Sequence, residues 1–162
     1  MKLDIGCGVF KREGYTGVDI DPDVNPDICA PMGEIPLPDG SVDEIFSSHA
    51  LEHVTKFEVV PVLREWKRIL KPGGLIDVQV PDLAWCCRAW LEHQQTDWWL
   101  DVLFGMCTST GEQHRTGFTN NIMMAYLREA GLYPVRYQTI ESHGQPTLEF
   151  IIRKGVDDGP TV

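Results

Sequence analysis

No stretch of the 162-residue chain is apolar over the roughly 18–20 residues that a membrane-crossing helix needs, and no charged-then-apolar leader opens it. No membrane partner is expected. Basic charge is scarce: 14 Lys and Arg against 24 Asp and Glu leave a net charge of −10. A surface of that sign repels phosphate backbones, so extensive nucleic-acid binding is not expected either. Paired cysteine spacing is missing. Cys7, Cys29, Cys86, Cys87 and Cys107 are odd in number and form no C-x-x-C pair, which points to free thiols in a reducing, cytoplasmic compartment. Cys and His do not cluster along the chain, so no metal site is expected. Repeats and low-complexity linkers are absent. Residues 1–154 read as one domain, and 155–162, with Asp157, Asp158, Gly159 and Pro160, read as a disordered tail.

What is present alternates between strand and helix. Strands are expected at Lys2 to Ile5, Tyr15 to Ile20, Pro26 to Cys29, Val42 to Ser48 and Leu75 to Val80. The segment between the first two is too short for the usual crossover helix, so at most one helical turn is expected there. Thr55 with Glu58 three residues on reads as a capping box opening a helix whose apolar stripe runs from Val59 to Leu70. Lys71-Pro72-Gly73-Gly74 stops it. A tryptophan-rich helical region follows from Leu83 to about Met106, broken near Gln94-Gln95 and restarted at Asp97. Beyond a polar loop, Thr108 to Gly117, Thr119 caps a helix ending at Gly131. Tyr133 to Glu141 and Thr147 to Arg153 close the chain as an antiparallel hairpin. The pattern is α/β: a mostly parallel sheet with a C-terminal antiparallel hairpin, one reversed edge, and the first crossover helix reduced or absent.

Two segments carry chemistry. Gly6-Cys7-Gly8 directly follows the first strand, where glycines let the backbone turn sharply and approach a ligand. Asp19 ends the second strand, where a carboxylate can accept both hydroxyls of a ribose. Asp19 lies eleven residues past Gly8, against roughly 20 in a dinucleotide fingerprint. Position 11 is Lys where that fingerprint has its third glycine. A nicotinamide enzyme is therefore the less favoured alternative.

The successive segments LDIGCG, GVDIDP, IPLPDGSVDEIFSSHALEHV and LREWKRILKPGGLIDVQVPDL resemble, in order, the motifs of the methyltransferase type 11 family of class I S-adenosylmethionine-dependent methyltransferases. GEQHRTGFT and LREAGL resemble the closing part of its small, compact members. The resemblance implies S-adenosylmethionine as cofactor and methyl transfer as the reaction. It implies a Rossmann-like sheet and puts Asp4, Gly6, Cys7 and Gly8 at the methionine end, Asp19 on the ribose, Ile20 against the adenine face, and Ser48 and His49 beside the sulfonium. Phe10 stands where the family has a further glycine, and Pro31 where it often has an acid for the adenine amino group, leaving that role to backbone near Met32. A cofactor-binding module without catalysis is the alternative of a different class.

Methyl transfer needs alignment more than acid–base help, but a hydroxyl acceptor gains from a base. His49, ending the fourth strand, and His114, in the polar loop with Gln113 and Arg115, are the histidine candidates, and Asp82, ending the fifth strand, faces the same rim. Glu52 and His53 read as packing or capping residues, and His93 and His143 as surface ones. The loop around His114 is expected to form a mobile lid over a small-molecule acceptor. Trp85, Trp90, Trp98 and Trp99 read as core, a substrate wall or a homodimer face.

Overall fold

A computed structural model describes residues 1–92, 97–106 and 112–155, the Trp99 side chain excepted. Seven strands form one sheet: β1 (Lys2–Ile5), β2 (Thr16–Asp19), β3 (Ile28–Cys29), β4 (Val42–Ser48), β5 (Leu70–Pro81), β6 (Pro134–Ser142) and β7 (Gln145–Arg153). Their order is β3-β2-β1-β4-β5-β7-β6. The first five strands are mutually parallel, and β7 runs antiparallel to both β5 and β6. The helices are α1 (Val59–Ile69), α2 (Leu83–Glu92), α3 (Asp97–Phe104) and α4 (Asn120–Glu129).

The alternation along the strands decides which way the sheet faces. Leu3, Ile5, Ile45, Ile76, Val78, Val80, Leu148, Phe150 and Ile152 lie in register on one face and are wholly or almost wholly buried. They share one apolar cluster with Leu63 and Trp66 of α1 and Met123 and Leu127 of α4. Each such side chain contributes about 1.5–3 kcal/mol by leaving water. The opposite face carries Lys2, Asp4, Glu44, Phe46, Asp77, Gln79 and Glu149.

No helix joins β1 to β2. Residues 8–14 are turns and bends, stitched by Arg12 N–H to Asp4 Oδ2 at 2.8 Å and Tyr15 N–H to the Arg12 carbonyl at 3.1 Å. The Arg12 guanidinium lies 4.1 Å from the Phe46 ring centre, giving the sheet face a cover in the helix's place.

Three expectations shift. α1 starts at Val59, not Thr55: Glu58 Oε2 does accept from Thr55 N–H at 2.7 Å, but residues 56–58 stay a turn. β5 begins at Leu70, so the Lys71 to Gly74 segment belongs to the strand. The reversed strand is not an edge: β7, with the hairpin's buried apolar face, takes the interior place and leaves β6 outside. The hairpin turn is His143-Gly144 alone, both residues with positive φ (54° and 73°), the two-residue turn that matches strand twist. The expected break at Gln94-Gln95 and the tail beyond Gly155 lie outside the described residues, as does Cys107. Among the described residues no helix is long and apolar enough to cross a membrane.

Candidate active site

The glycine turn after β1 is tight enough to demand its glycines. Gly6 has φ 73°, and a Cβ there would sit 2.3 Å from the Ala50 Cβ. Asp19, at the end of β2, accepts from Gly8 N–H at 2.9 Å and from Asp21 N–H at 3.0 Å. Its carboxylate therefore latches the turn to the neighbouring strand. Both border a cavity of about 440 Å³ whose walls include Gly6, Asp19, Ile20, Met32, His53 and Arg115. Ile20 is 69% exposed there, an apolar side chain in water beside a cavity. The Met32 carbonyl accepts from Trp66 Nε1 at 2.9 Å, which ties this wall to the core.

Other sequence candidates lie just outside that cavity. Asp4 is buried, holds Arg12 N–H, and has its carboxyl pushed above the usual range by burial. Burial, with Asp19 adding to it, pushes the Cys7 thiol up to about 11, so it stays protonated. Ser48 Oγ donates to Gln79 Oε1 at 3.1 Å. Asp82 Oδ1 accepts from Ala84 N–H at 3.0 Å and Trp85 N–H at 3.2 Å, capping α2, and borders neither this cavity nor the next.

A second cavity, of about 430 Å³, adjoins the first, with His49, Glu52, His53, Trp98, His114 and Gln145 in its walls. His49 adopts φ 51°, rare for a side chain of its size. Its N–H donates to the Gln79 carbonyl at 2.9 Å and its Nε2 lies 3.0 Å from Thr147 Oγ1. Burial first, then the His143 ring 4.4 Å away, lowers the imidazole to about 4, so it is neutral at physiological pH. Burial also lowers His114, helped by His53. Glu52 is 1% exposed and burial raises its carboxyl to about 8. No local pattern marks Glu52 and His53 as functional, because some sixty residues of chain separate them from His114.

The described part of the polar loop is anchored and not a free lid. Arg115 and Thr116 N–H groups donate to the Glu52 carbonyl at 2.8 and 3.1 Å, and His114 N–H to the Phe104 carbonyl at 2.9 Å. Thr116 Oγ1 adds a bond to the Val54 carbonyl at 2.7 Å. Of the tryptophans, Trp98 is 49% exposed and reaches the second cavity, while Trp85 and Trp90 are half-buried.

Residues 3–77, just under half of the chain, match the Methyltransf_11 family, described as a methyltransferase domain. Among curated proteins no sequence matches. Solved structures match across nearly the whole chain. A SAM-dependent methyltransferase from Methanosarcina mazei shares 19% identity at a TM-score of 0.70, covering 96% of this chain and 92% of its own. A SAM-dependent methyltransferase from Thermotoga maritima shares 18% at 0.67, covering 94% and 81%. The 1,6-didemethyltoxoflavin-N1-methyltransferase of Burkholderia thailandensis, solved with 1,6-didemethyltoxoflavin and S-adenosylhomocysteine, shares 16% at 0.65, covering 95% and 70%. Identities this low speak for the fold. They give this chain the Rossmann-like fold that these methyltransferases share, and within it residues 3–77 resemble the methyltransferase-domain family.

Proposed function

We propose that the chain transfers a methyl group from S-adenosylmethionine to a small-molecule acceptor, with the cofactor in the cavity at Gly6 and Asp19 and the acceptor in the one at His49 and His114. The observation that carries this reading is that the two cavities share a wall at His53, so ligands in them can meet. Their volumes, about 440 and 430 Å³, suit small ligands, whose pockets run from roughly 300 to 1,000 Å³.

In this reading Asp19 accepts the ribose hydroxyls and Ile20 gives the adenine an apolar face. Gly6, Cys7 and Gly8 offer backbone to the methionine end, with Asp4 holding the turn from beneath. Bound there, S-adenosylmethionine would supply an electrophilic methyl group, and the wall shared at His53 would let an acceptor in the second cavity reach it. Neutral His49 or His114 takes the acceptor's proton, and Arg115, in the cofactor wall, balances anionic groups. Asp82 serves the site indirectly by starting α2. The unpaired thiols of Cys7, Cys29, Cys86 and Cys87 support a cytoplasmic setting.

Calorimetry with S-adenosylhomocysteine and with NADH tests the cofactor, and a mass-spectrometric screen of a host extract for products 14 Da heavier, formed only with S-adenosylmethionine, tests the reaction. NADH binding in place of S-adenosylhomocysteine would overturn the assignment.

A further inference from the structure

Among the described residues, the Glu52 carboxyl stands out. It is 1% exposed, and both its oxygens lack a hydrogen-bond partner. A buried carboxyl with both oxygens unpartnered is costly even in its neutral form, and a cation beside it would satisfy it. The nearest ring nitrogens are His49 Nδ1 at 3.6 Å and His114 Nε2 at 4.0 Å from Oε1, both too far for a hydrogen bond. One oxygen of Glu52 and one ring nitrogen each of His53 and His114 lie within 4.8 Å of one another. Among the described residues this is where such donors gather, and all three border the second cavity.

The surroundings hold these donors ready. His53 Nδ1 lies 3.2 Å from the Gln113 carbonyl, which can only accept. Nδ1 therefore carries the proton and Nε2 keeps its lone pair, the tautomer a metal-bound imidazole has. Backbone bonds from Arg115 and Thr116 to Glu52 fix the 114–116 segment against the Glu52–His53 turn, so the spacing is set by main chain and not by loose side chains.

We propose that Glu52, His53 and His114 bind a divalent first-row transition metal ion. Two imidazoles and one carboxylate suit zinc, iron, cobalt or manganese better than calcium or magnesium, which favour all-oxygen shells. Ligands about 2.0–2.2 Å from a tetrahedral ion stand roughly 3.4 Å apart. The present separations, up to 4.8 Å, close to that by small side-chain rotations. Three protein ligands leave a coordination position open, the pattern of a catalytic rather than a structural site. That position faces the cavity assigned to the acceptor, so the ion's role, though not its binding, rests on the proposed function. With His114 a ligand, an acceptor hydroxyl bound there gives its proton to neutral His49 in the same cavity wall. Its oxygen then attacks the methyl carbon, and the carbon–sulfur bond breaks with both electrons on sulfur. The expectation of no metal rested on spacing along the chain, and these three ligands converge only through the fold.

The test uses the whole chain, freed of metal by a chelator and titrated with Co²⁺, with visible absorption reporting coordination. Calorimetry with S-adenosylhomocysteine runs in parallel. One Co²⁺ per chain is expected, displaced by Zn²⁺, with affinity falling at least about tenfold in both Glu52→Gln and His114→Asn. S-adenosylhomocysteine affinity should stay within about twofold in both, since neither side chain borders the cofactor cavity, and this shows that the variants fold. If Glu52→Gln does not fold, His114→Asn, on a less buried residue, decides. A wild-type chain that binds no Co²⁺ overturns the proposal. So does binding unchanged in the folded variants, which marks adventitious capture at exposed thiols such as Cys29 or Cys87. Co²⁺ bound at these residues in a chain that binds no S-adenosylhomocysteine supports the metal site and overturns the proposed function instead.

Discussion

The cavity at Gly6 and Asp19 and the cavity at Glu52 and His114 share a wall but are assembled differently. The first draws its decisive residues from one short β-turn-β stretch, where Gly8 and Asp19 are joined by a hydrogen bond across eleven positions. The second collects His49, Glu52, Trp98, His114 and Gln145 from the end of β4, from α3, from the polar loop and from the final hairpin. Local assembly leaves a sequence signature, because neighbouring residues must satisfy one another's backbone. Long-range assembly leaves isolated histidines and acids whose meaning depends on where the chain returns. The two also differ electrostatically. Asp19 stays partly exposed and hydrogen-bonded, whereas burial drives Glu52 and His49 toward their neutral forms.

The largest effect is expected from attacking the first region's geometry. Gly6→Ala adds a methyl 2.3 Å from Ala50 and forces φ 73° on a residue with a Cβ. Denaturant unfolding should show a loss of about 3 kcal/mol. A variant as stable as wild type would mean that the turn is free to rearrange and does not define the cavity.

Asp19→Ala comes next. It removes the proposed ribose contact and the bond to Gly8 N–H, and should weaken S-adenosylhomocysteine binding by about 1–3 kcal/mol in calorimetry. The same variant should leave Co²⁺ binding untouched. Unchanged cofactor affinity would sink the ribose assignment.

For the second region the sharper probe is His114→Ala, which spares Arg115 in the cofactor wall. Turnover on the acceptor should fall about tenfold or more, with cofactor affinity dropping far less than in Asp19→Ala. If cofactor affinity collapses instead, the two cavities are one site and the contrast fails.

The smallest expected effect lies in neither region and serves to calibrate them. Burial, with Glu149 adding repulsion, raises Asp77 on the polar sheet face to about 6. Because the folded value exceeds the unfolded one, the folded chain holds this proton longer, and stability declines as pH climbs from the ordinary carboxylate range toward 6. Asp77→Asn should therefore be about 1 kcal/mol more stable than wild type above pH 6 and equal to it near pH 3. Melting curves across that range check it. A variant gaining nothing at high pH would show that water relieves the buried carboxylate.

Some expectations succeeded for physical reasons and others failed for equally physical ones. The missing first crossover helix was legible, since too few residues separate Ile5 from Thr16 to hold one. The α1 stripe from Val59 was legible too, because the 3.6-residue period is local. Its start was misjudged: a Thr55–Glu58 pair can close a turn without propagating a helix. The mobile lid was a fair reading of a polar loop, but the chain ties residues 114–116 to the Glu52 and Phe104 carbonyls, and no local pattern announces those partners.

By itself, then, the sequence determined the alternating elements, the glycine turn and its acid, and the resemblance of residues 3–77 to a methyltransferase domain, since each depends on contacts between near neighbours. The tertiary structure alone decided that β7 rather than β6 enters the sheet, because only packing against β5 and α4 rewards burying Leu148, Phe150 and Ile152. It alone also brought Glu52, His53 and His114 within 4.8 Å. A donor cluster spanning some sixty positions exists only once β4, α3 and the polar loop converge on one rim of the sheet.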